Sequence, residues 1–369
     1  MRLLRLRQKN FRNLSTPLFV PGPGLTTIVG GNAQGKTNLL EAIELALGGE
    51  LRNGMAERIA FGQSEAWLHA EIETQFGNSR LEVKLSREGR EHRLNEAPAS
   101  LRELAQLPGA VLLGPDDLEL VLGPPEERRR FLDLLLARFS ARYRVMLGQY
   151  SRALQQRNAV LKSSFRPGAR GRGGEGAARA EAPVLEGKQG GIRAAIGIWN
   201  HELVKYGSEI LSLRRRMLSK LNPLAREAYR ELAPGELKLE LSETTDPERF
   251  LQALEDNLPE DLQRGATSVG PHRDDLTILL SGHEAARYGS RGECRSIALA
   301  LRLAEHRLLW QHYQEAPLLL VDEWNSELDA RRRGALLAYA QSLPQAILAG
   351  LEAPGAGAVI EIEAGVWSQ

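Results

Sequence analysis

The chain of 369 residues has one cysteine, Cys294, which excludes an intrachain disulfide and any multi-cysteine metal site. No run approaches the length of apolar residues that a membrane-spanning helix needs, so no such helix is expected. The opening MRLLRLRQKNFRNL lacks the continuous apolar stretch and small-residue cleavage site of a secretory signal, and a cytoplasmic protein is expected. Neither sign of charge dominates. With 48 basic and 47 acidic residues the formal net charge is +1, so any nucleic-acid contact must come from local patches. A chain this long with 42% hydrophobic residues supports two domains or one elaborated one.

What the sequence does have is the stretch GGNAQGKT at 30–37, between the apolar run LTTIV and the helical pattern NLLEAIELAL. It fits G-x-x-x-x-G-K-[ST], in which glycines let the backbone curl so that successive N–H groups point at phosphate oxygens. Lys36 would lie along the β- and γ-phosphates, and the Thr37 hydroxyl would take one position on Mg²⁺. Leu25–Val29 reads as a buried strand, and Leu39, Leu40, Ile43 and Leu47 recur at helical spacing. The phosphates would therefore meet a helix N-terminus, and ATP with Mg²⁺ is the expected ligand.

Residues 317–323 read PLLLVDE, a strand ending in two carboxylates. Asp322 is assigned to the metal and Glu323 to the attacking water, with Lys36 as the third catalytic residue. Upstream, Ser290, Arg291 and Gly292 open a helix carrying Ile297, Leu301, Ala304 and Leu308. A hydroxyl and free N–H groups there make a second anion site. One phosphate rarely needs two cradles from one chain, so a second copy is expected to supply it, giving a dimer closed over ATP.

Strand patterns near 2–6, 16–20, 25–29, 68–74 and 80–85 make the N-terminal third mixed α/β. From about Pro125, Leu132, Leu136, Phe139, Tyr143, Met146, Tyr150 and Ala153 step by four and three. Ile192, Ile196, Trp199, Leu203, Tyr206, Ile210, Leu213 and Met217 step in the same way. Two helices of roughly 30 residues would form an antiparallel hairpin about 45 Å long, or else faces of an ordinary bundle. The Gly-, Ala- and Arg-rich segment 163–191 between them reads as a mobile loop. The expected organisation is an N-terminal ATPase part at 1–124, a helical lobe at 125–222 and a C-terminal ATPase part at 223–369.

In their order, these motifs resemble the ABC-type ATPase heads of the SMC class, and more narrowly the RecF family of bacterial recombination mediators. The words carrying the resemblance are KNFRNL at 9–14, QGKTNLLEAI at 34–43, RRRFLD at 128–133, QQRNAVLK at 155–162 and GPHRDD at 270–275. The implied fold is an α/β P-loop core of the ABC/SMC-head type. It carries a mainly helical second lobe containing a short antiparallel helical hairpin. By the resemblance, Arg12 and Asn13 approach the nucleotide. Gly30, Gly31, Asn32, Ala33, Gln34, Gly35, Lys36 and Thr37 form the Walker A loop, with Asn38 following. Ser290 and Gly292 act in trans as the signature motif, and Ser326 to Asp329 form the D-loop. The implied partners are double-stranded DNA and its single-strand junctions, RecR, RecO and indirectly RecA, together with a second copy of the chain. The implied activity is slow, DNA-stimulated ATP hydrolysis.

There are departures from the pattern. Gly289, Arg291 and Glu293 replace the usual signature residues, and QAILAGLEA at 345–353 offers no histidine or threonine at the switch position. HRD at 272–274 is not a kinase catalytic loop, since Leu279 stands where an Asn is required. His272, Asp274 and Asp275 read as metal ligands or a hydrogen-bonded turn, with the turn preferred. Arg128, Arg129 and Arg130, and Arg214, Arg215 and Arg216, are candidates for DNA contact, against a bland reading as solvated helix faces. A transporter subunit and an SMC-like tether are rival readings, the first lacking its glutamine and histidine loops and the second its long arms.

Overall fold

The computed structural model describes residues 1–49, 54–164, 186–326 and 328–368. Most of the segment expected to be a mobile loop therefore lies outside the described residues. The chain opens with β1 (Arg2–Lys9), β2 (Leu18–Phe19), β3 (Gly24–Val29) and helix α1 (Lys36–Ala46). Next come β4 (Glu65–Thr74), β5 (Gly77–Ser86), β6 (Arg90–Leu94), β7 (Ala97–Pro98), α2 (Leu101–Leu104), β8 (Ala110–Leu113), α3 (Glu119–Leu122) and α4 (Pro125–Phe139). Two long helices follow, α5 (Ala141–Ser164) and α6 (Glu186–Leu232). After them come β9 (Leu237–Ser242), α7 (Phe250–Asp256), α8 (Leu258–Arg264), β10 (Asp275–Leu280), β11 (His283–Glu284) and α9 (Ala285–Tyr288). The chain finishes with α10 (Arg291–Tyr313), β12 (Leu318–Val321), α11 (Ala330–Gln341), β13 (Gln345–Gly350), β14 (Ala358–Glu363) and β15 (Val366–Ser368).

These elements form two compact units, Met1–Ala141 with Leu218–Glu240 and Thr277–Gln369, and Arg142–Met217 with Leu241–Leu276. In the first, β14, β3, β13, β12 and β8 run parallel in that order, with β15 antiparallel at one edge. Both faces of its centre are covered, so β12 and β13 are apolar almost throughout and fully buried. A second, antiparallel sheet has the order β2-β1-β4-β5-β6-β7. Helix α1 contacts both sheets through Leu39, Leu40, Ile43 and Leu45, each completely or almost completely buried. On this second sheet Arg2 and Arg5 stand opposite Glu73 and Glu71 and pair with them.

The second unit is built on the hairpin of α5 and α6. Its antiparallel course is fixed by Arg142 against Glu209 at one end and Arg157 against Asn200 at the other. Ile196, Leu203, Ile210 and Met217 are its buried seam on α6. Phe250 of α7 packs at Gly207, where an added Cβ would lie 2.4 Å from its ring, and Arg157 reaches the Leu254 carbonyl. The hairpin is thus part of a bundle with α7 and α8, its α5 limb being 24 residues or about 36 Å long.

Three expectations change. The stretch 132–153 is not one helix: α4 stops at Phe139 and Ser140 is extended (φ −152°, ψ 108°). The apolar spacing keeps its phase across that break, so periodicity alone cannot reveal it. Helix α4 belongs to the first unit, where Arg138 donates to the Pro108 and Ala110 carbonyls and accepts the Tyr313 hydroxyl on its own. Pro223 does not end α6, which runs nine residues further. Burial of Ala225, Ala228, Tyr229 and Leu232 offsets the roughly 3 kcal/mol that an interior proline costs.

Candidate nucleotide site

The site lies at the carboxyl ends of β3, β12 and β8, where open parallel sheets place their ligands. β3 delivers Gly30, β12 delivers Asp322 and β8 delivers Gly114, while β13 runs between the first two strands. The strand ends are tied laterally by Gly30 N to Gly350 O at 3.3 Å, Asp322 N to Leu113 O at 2.7 Å and Trp324 N to Ala349 O at 3.0 Å.

The loop itself is a concave nest. Ala33 (φ 62°) and Gly35 (φ 105°) are left-handed, which turns successive N–H groups inward. Asn32, Ala33 and Gly31 are exposed, whereas Gly35 and Lys36 are buried. The Lys36 ammonium donates to the carbonyls of Gly30 and Gly31, both at 2.6 Å, so it is folded back against the start of the loop. The Thr37 hydroxyl donates to Asp322 Oδ2 at 2.6 Å, and Asp322 Oδ1 accepts from the Glu323 N–H. Burial raises the Asp322 carboxyl above the usual carboxylate range. Glu323 is exposed at the rim with φ 51°, an uncommon backbone conformation for a non-glycine residue.

This donor set fits magnesium-bound ATP: Thr37 and Asp322 offer adjacent hard oxygen ligands, while Lys36 and the loop N–H groups match phosphate oxygens. The metal when bound would withdraw charge from the terminal phosphate. Thr37, Asp322 and Glu323 also line a cleft of about 250 Å³ shared with Glu41, Arg58 and Asp116. Arg12 and Asn13 meet the site through Asn38. Arg12 donates to the Asn38 side-chain oxygen at 2.8 Å and pairs with Glu41, and Asn13 accepts from the Asn38 amide at 2.7 Å.

Sequence reading misses one supporting element, the β14–β15 turn. Gln34 accepts from Gly365 N through its carbonyl and from Ala364 N through its side chain at 2.6 Å. The Gly365 carbonyl in turn accepts from Ser15 and Thr16. Gly365 has φ 76°, and a Cβ there would lie 2.0 Å from the Asn13 carbonyl oxygen. Its signal in the sequence is only a glycine between two short apolar stretches.

Ser290 is the N-cap of α10. Its hydroxyl accepts from Glu293 N and donates to the Glu293 carboxylate at 2.7 Å, a complete capping box. Those bonds hold the Glu293 carboxyl below its ordinary range. Gly292 lies beside Arg332, which pairs with Asp329, and Asp329 is itself the N-cap of α11. The D-loop reading spans Ser326 to Asp329, of which 327 lies outside the described residues.

Two family-specific words prove structural within the second unit. Arg157 is completely buried and donates to Asn200 (2.7 Å), Asp261 (2.7 Å) and Thr267 (2.8 Å). Asn158 accepts from the backbone and hydroxyl of Thr267. GPHRDD is the hydrogen-bonded turn. His272 Nε2 meets the Thr267 carbonyl, so its Nδ1 accepts from the Tyr150 hydroxyl, and Asp274 accepts from Thr244. Among the described residues no group of three or more His, Cys, Asp or Glu side chains is arranged to hold a metal ion.

The basic triplets are only partly available to a partner. Arg128 is 9% exposed and donates to the Val121 and Gly123 carbonyls at the end of α3, and Arg129 pairs with Glu126. Arg214 is 2% exposed and donates to the Pro271 carbonyl beside Asp274, while Arg215 is held by Glu243 and Asp246. Arg128 and Arg214 are therefore fold-holding residues, a correction to their reading as DNA contacts. Arg130 is half-buried and Arg216 exposed.

Residues 2–353 match the family model described as the RecF/RecN/SMC N terminal domain. The chain is 42% identical over 368 residues to the DNA replication and repair protein RecF of Deinococcus radiodurans, covering 99% of this chain and 95% of that protein. It is similar to the solved structure of the recombination mediator protein RecF-ATP in the RecFOR pathway, with a TM-score of 0.84 and 27% identity over 99% of this chain and 96% of that one. The Smc head domain of Pyrococcus furiosus shares the fold at a TM-score of 0.53 and 19% identity, over 99% of this chain and 95% of that one. Among the described residues no helix is long and apolar enough to cross a membrane. By sequence and by architecture, the chain belongs to the RecF family of DNA replication and repair proteins.

Proposed function

We propose that the chain is an ATP-dependent DNA-binding protein whose triphosphate joins two copies. One observation carries this reading. Ser290, with the helix N-terminus it caps, does not line the cleft formed at Thr37, Asp322 and Glu323, so a single chain leaves that cleft without its second anion site. A second copy would present Ser290 and Gly292 to the terminal phosphate, and its approach would align two sets of weak basic patches on one duplex. Doubling the number of neutralised phosphates raises affinity steeply and makes it salt-dependent.

On this reading Glu323, exposed at the rim, orients the attacking water, and Lys36 steadies charge on the transferred phosphate. Hydrolysis is slow, is stimulated by DNA and releases the clamp. The RecFOR pathway named for the solved relative points to RecO and RecR as partners, to gaps and junctions as the substrate, and to RecA loading as the outcome. On this reading the protein acts in the cytoplasm. Among the described residues of the two triplets Arg216, which is exposed, and Arg130, which is half-buried, are the better candidates for the DNA face.

The deciding experiment measures mass and duplex affinity of the wild type and Glu323→Gln with ATP, ADP or neither. The variant should persist as a DNA-retaining dimer in ATP, and Lys36→Ala should lose nucleotide and dimer together. A monomer under every condition would sink the shared-site reading.

A further inference from the structure

Arg58 closes a short 3-10 turn, Met55–Arg58, and its backbone carbonyl accepts from the Arg12 N–H at 2.9 Å. The side chain is 3% exposed, yet it lines the 250 Å³ cleft whose other walls include Thr37, Asp322 and Glu323. Among the described residues lining that cleft Arg58 alone is basic.

A guanidinium withdrawn from water requires partners for five N–H groups. In this chain Arg157 comes close, with three contacts of 2.7 to 2.8 Å and a fourth, longer one to the Leu254 carbonyl. Arg58 does not. Its Nε has no hydrogen-bond partner, its contact to the Gly54 carbonyl is 3.4 Å long, and Glu41 and Glu57 stand 3.7 Å away. Glu41 is held more closely by Arg12, at 2.6 Å. Arg58 is thus a desolvated, under-partnered cation facing a half-open cleft whose other charged walls are Glu41, Glu44, Asp116, Asp322 and Glu323, so it is the one place in that lining where a small oxyanion finds a cation.

The chemistry at the other end of the cleft generates one. Hydrolysis breaks the bond from the γ-phosphorus to its bridging oxygen, adds the water oxygen to that phosphorus, and yields ADP, inorganic phosphate and a proton passed to solvent. Thr37 and Glu41 are one helical turn apart on α1, so a phosphate released beside Thr37 would meet the guanidinium beside Glu41 within one turn of that helix. We infer that Arg58 binds the inorganic phosphate released by hydrolysis and holds it in the cleft before it escapes. The inference builds on the ATPase reading above, extending it to the product.

The test uses the full chain as wild type, Arg58→Met and Arg58→Lys, with two readouts. The first is inhibition of ATP hydrolysis by added inorganic phosphate, and by orthovanadate with ADP. The inhibition constants should rise about tenfold or more in Arg58→Met and less in Arg58→Lys, with the KM for ATP changed less than about twofold. The second is the rise in melting temperature that phosphate gives in the presence of ADP, which should vanish in Arg58→Met and persist in Arg58→Lys. Unchanged inhibition and unchanged stabilisation in a folded Arg58→Met would overturn the inference. If that variant does not fold, wild type neither inhibited nor stabilised by phosphate overturns it equally. The melting readout needs no turnover, so stabilisation by phosphate without any ATP hydrolysis would refute the ATPase reading and leave the phosphate site standing.

Discussion

The Thr37 hydroxyl and the Asp322 carboxylate meet at 2.6 Å although 285 positions separate them and β13 runs between β3, which leads into the phosphate loop, and β12, which leads into Asp322. Each would be a metal ligand, and without the metal each is the other's partner. Thr37→Ala and Asp322→Asn should therefore abolish magnesium-dependent gain in ATP affinity while leaving metal-free ADP binding within about threefold. Titration calorimetry with and without chelator checks this, and a retained magnesium effect would dismiss both ligands.

Gly365→Ala should weaken ATP binding about tenfold and lower the melting temperature, because its Cβ would strike the Asn13 carbonyl that lies against the phosphate loop. Gly355→Ala is the control. Its φ is 79° but nothing lies within 4 Å of its Cβ, so it should cost only the backbone strain of about 1 kcal/mol and leave nucleotide affinity intact.

Arg157→Met should destabilise the second unit by about 3 to 5 kcal/mol, since it leaves the Asp261 carboxylate buried without its cation. Adding Asp261→Leu to that variant should recover part of the loss. Urea unfolding of the single and double variants measures both, and full additivity would show that the two side chains act separately.

His306 is buried, with Nδ1 at the Tyr339 hydroxyl and Nε2 at the Pro317 carbonyl, and burial lowers its pKa to about 4. The unfolded chain binds the proton near pH 6.5, so the contribution of this group is present above that value and is lost as pH falls towards 4. Going from pH 7 to pH 5 should cost about 2 kcal/mol through this residue alone. His306→Gln, less stable at pH 7, should show a correspondingly smaller loss on acidification in urea midpoints.

The chemistry-bearing words are legible because each is local. GGNAQGKT needs only its own glycines, lysine and threonine, and LLLVDE announces a covered strand with two acids at its end. What surrounds them is not legible, because it is assembled from distant pieces. The β14–β15 turn supports Gln34 through backbone contacts that leave no mark beyond Gly365. The break at Ser140 is hidden because apolar spacing carries on in phase through it. Arg128 and Arg214 read as surface charge because a triplet of arginines says nothing about which carbonyls its members will reach. GPHRDD is distinctive for a packing reason, the layering of Tyr150, His272 and Phe250 against Gly270, which no reading of residue types alone identifies.

β3, the strand that feeds the phosphate loop, pairs with β13 on one side and β14 on the other, Gly24 lying opposite Gln345 and Thr26 opposite Ala358. Contacts so remote along the polymer are slow to form, since most of the chain must be gathered before they close. During synthesis the ribosome would release the complete GGNAQGKT word long before the strands that frame it. A stalled or truncated nascent chain would carry that word without the neighbours that shape it, so nucleotide capture would coincide with a late step of maturation.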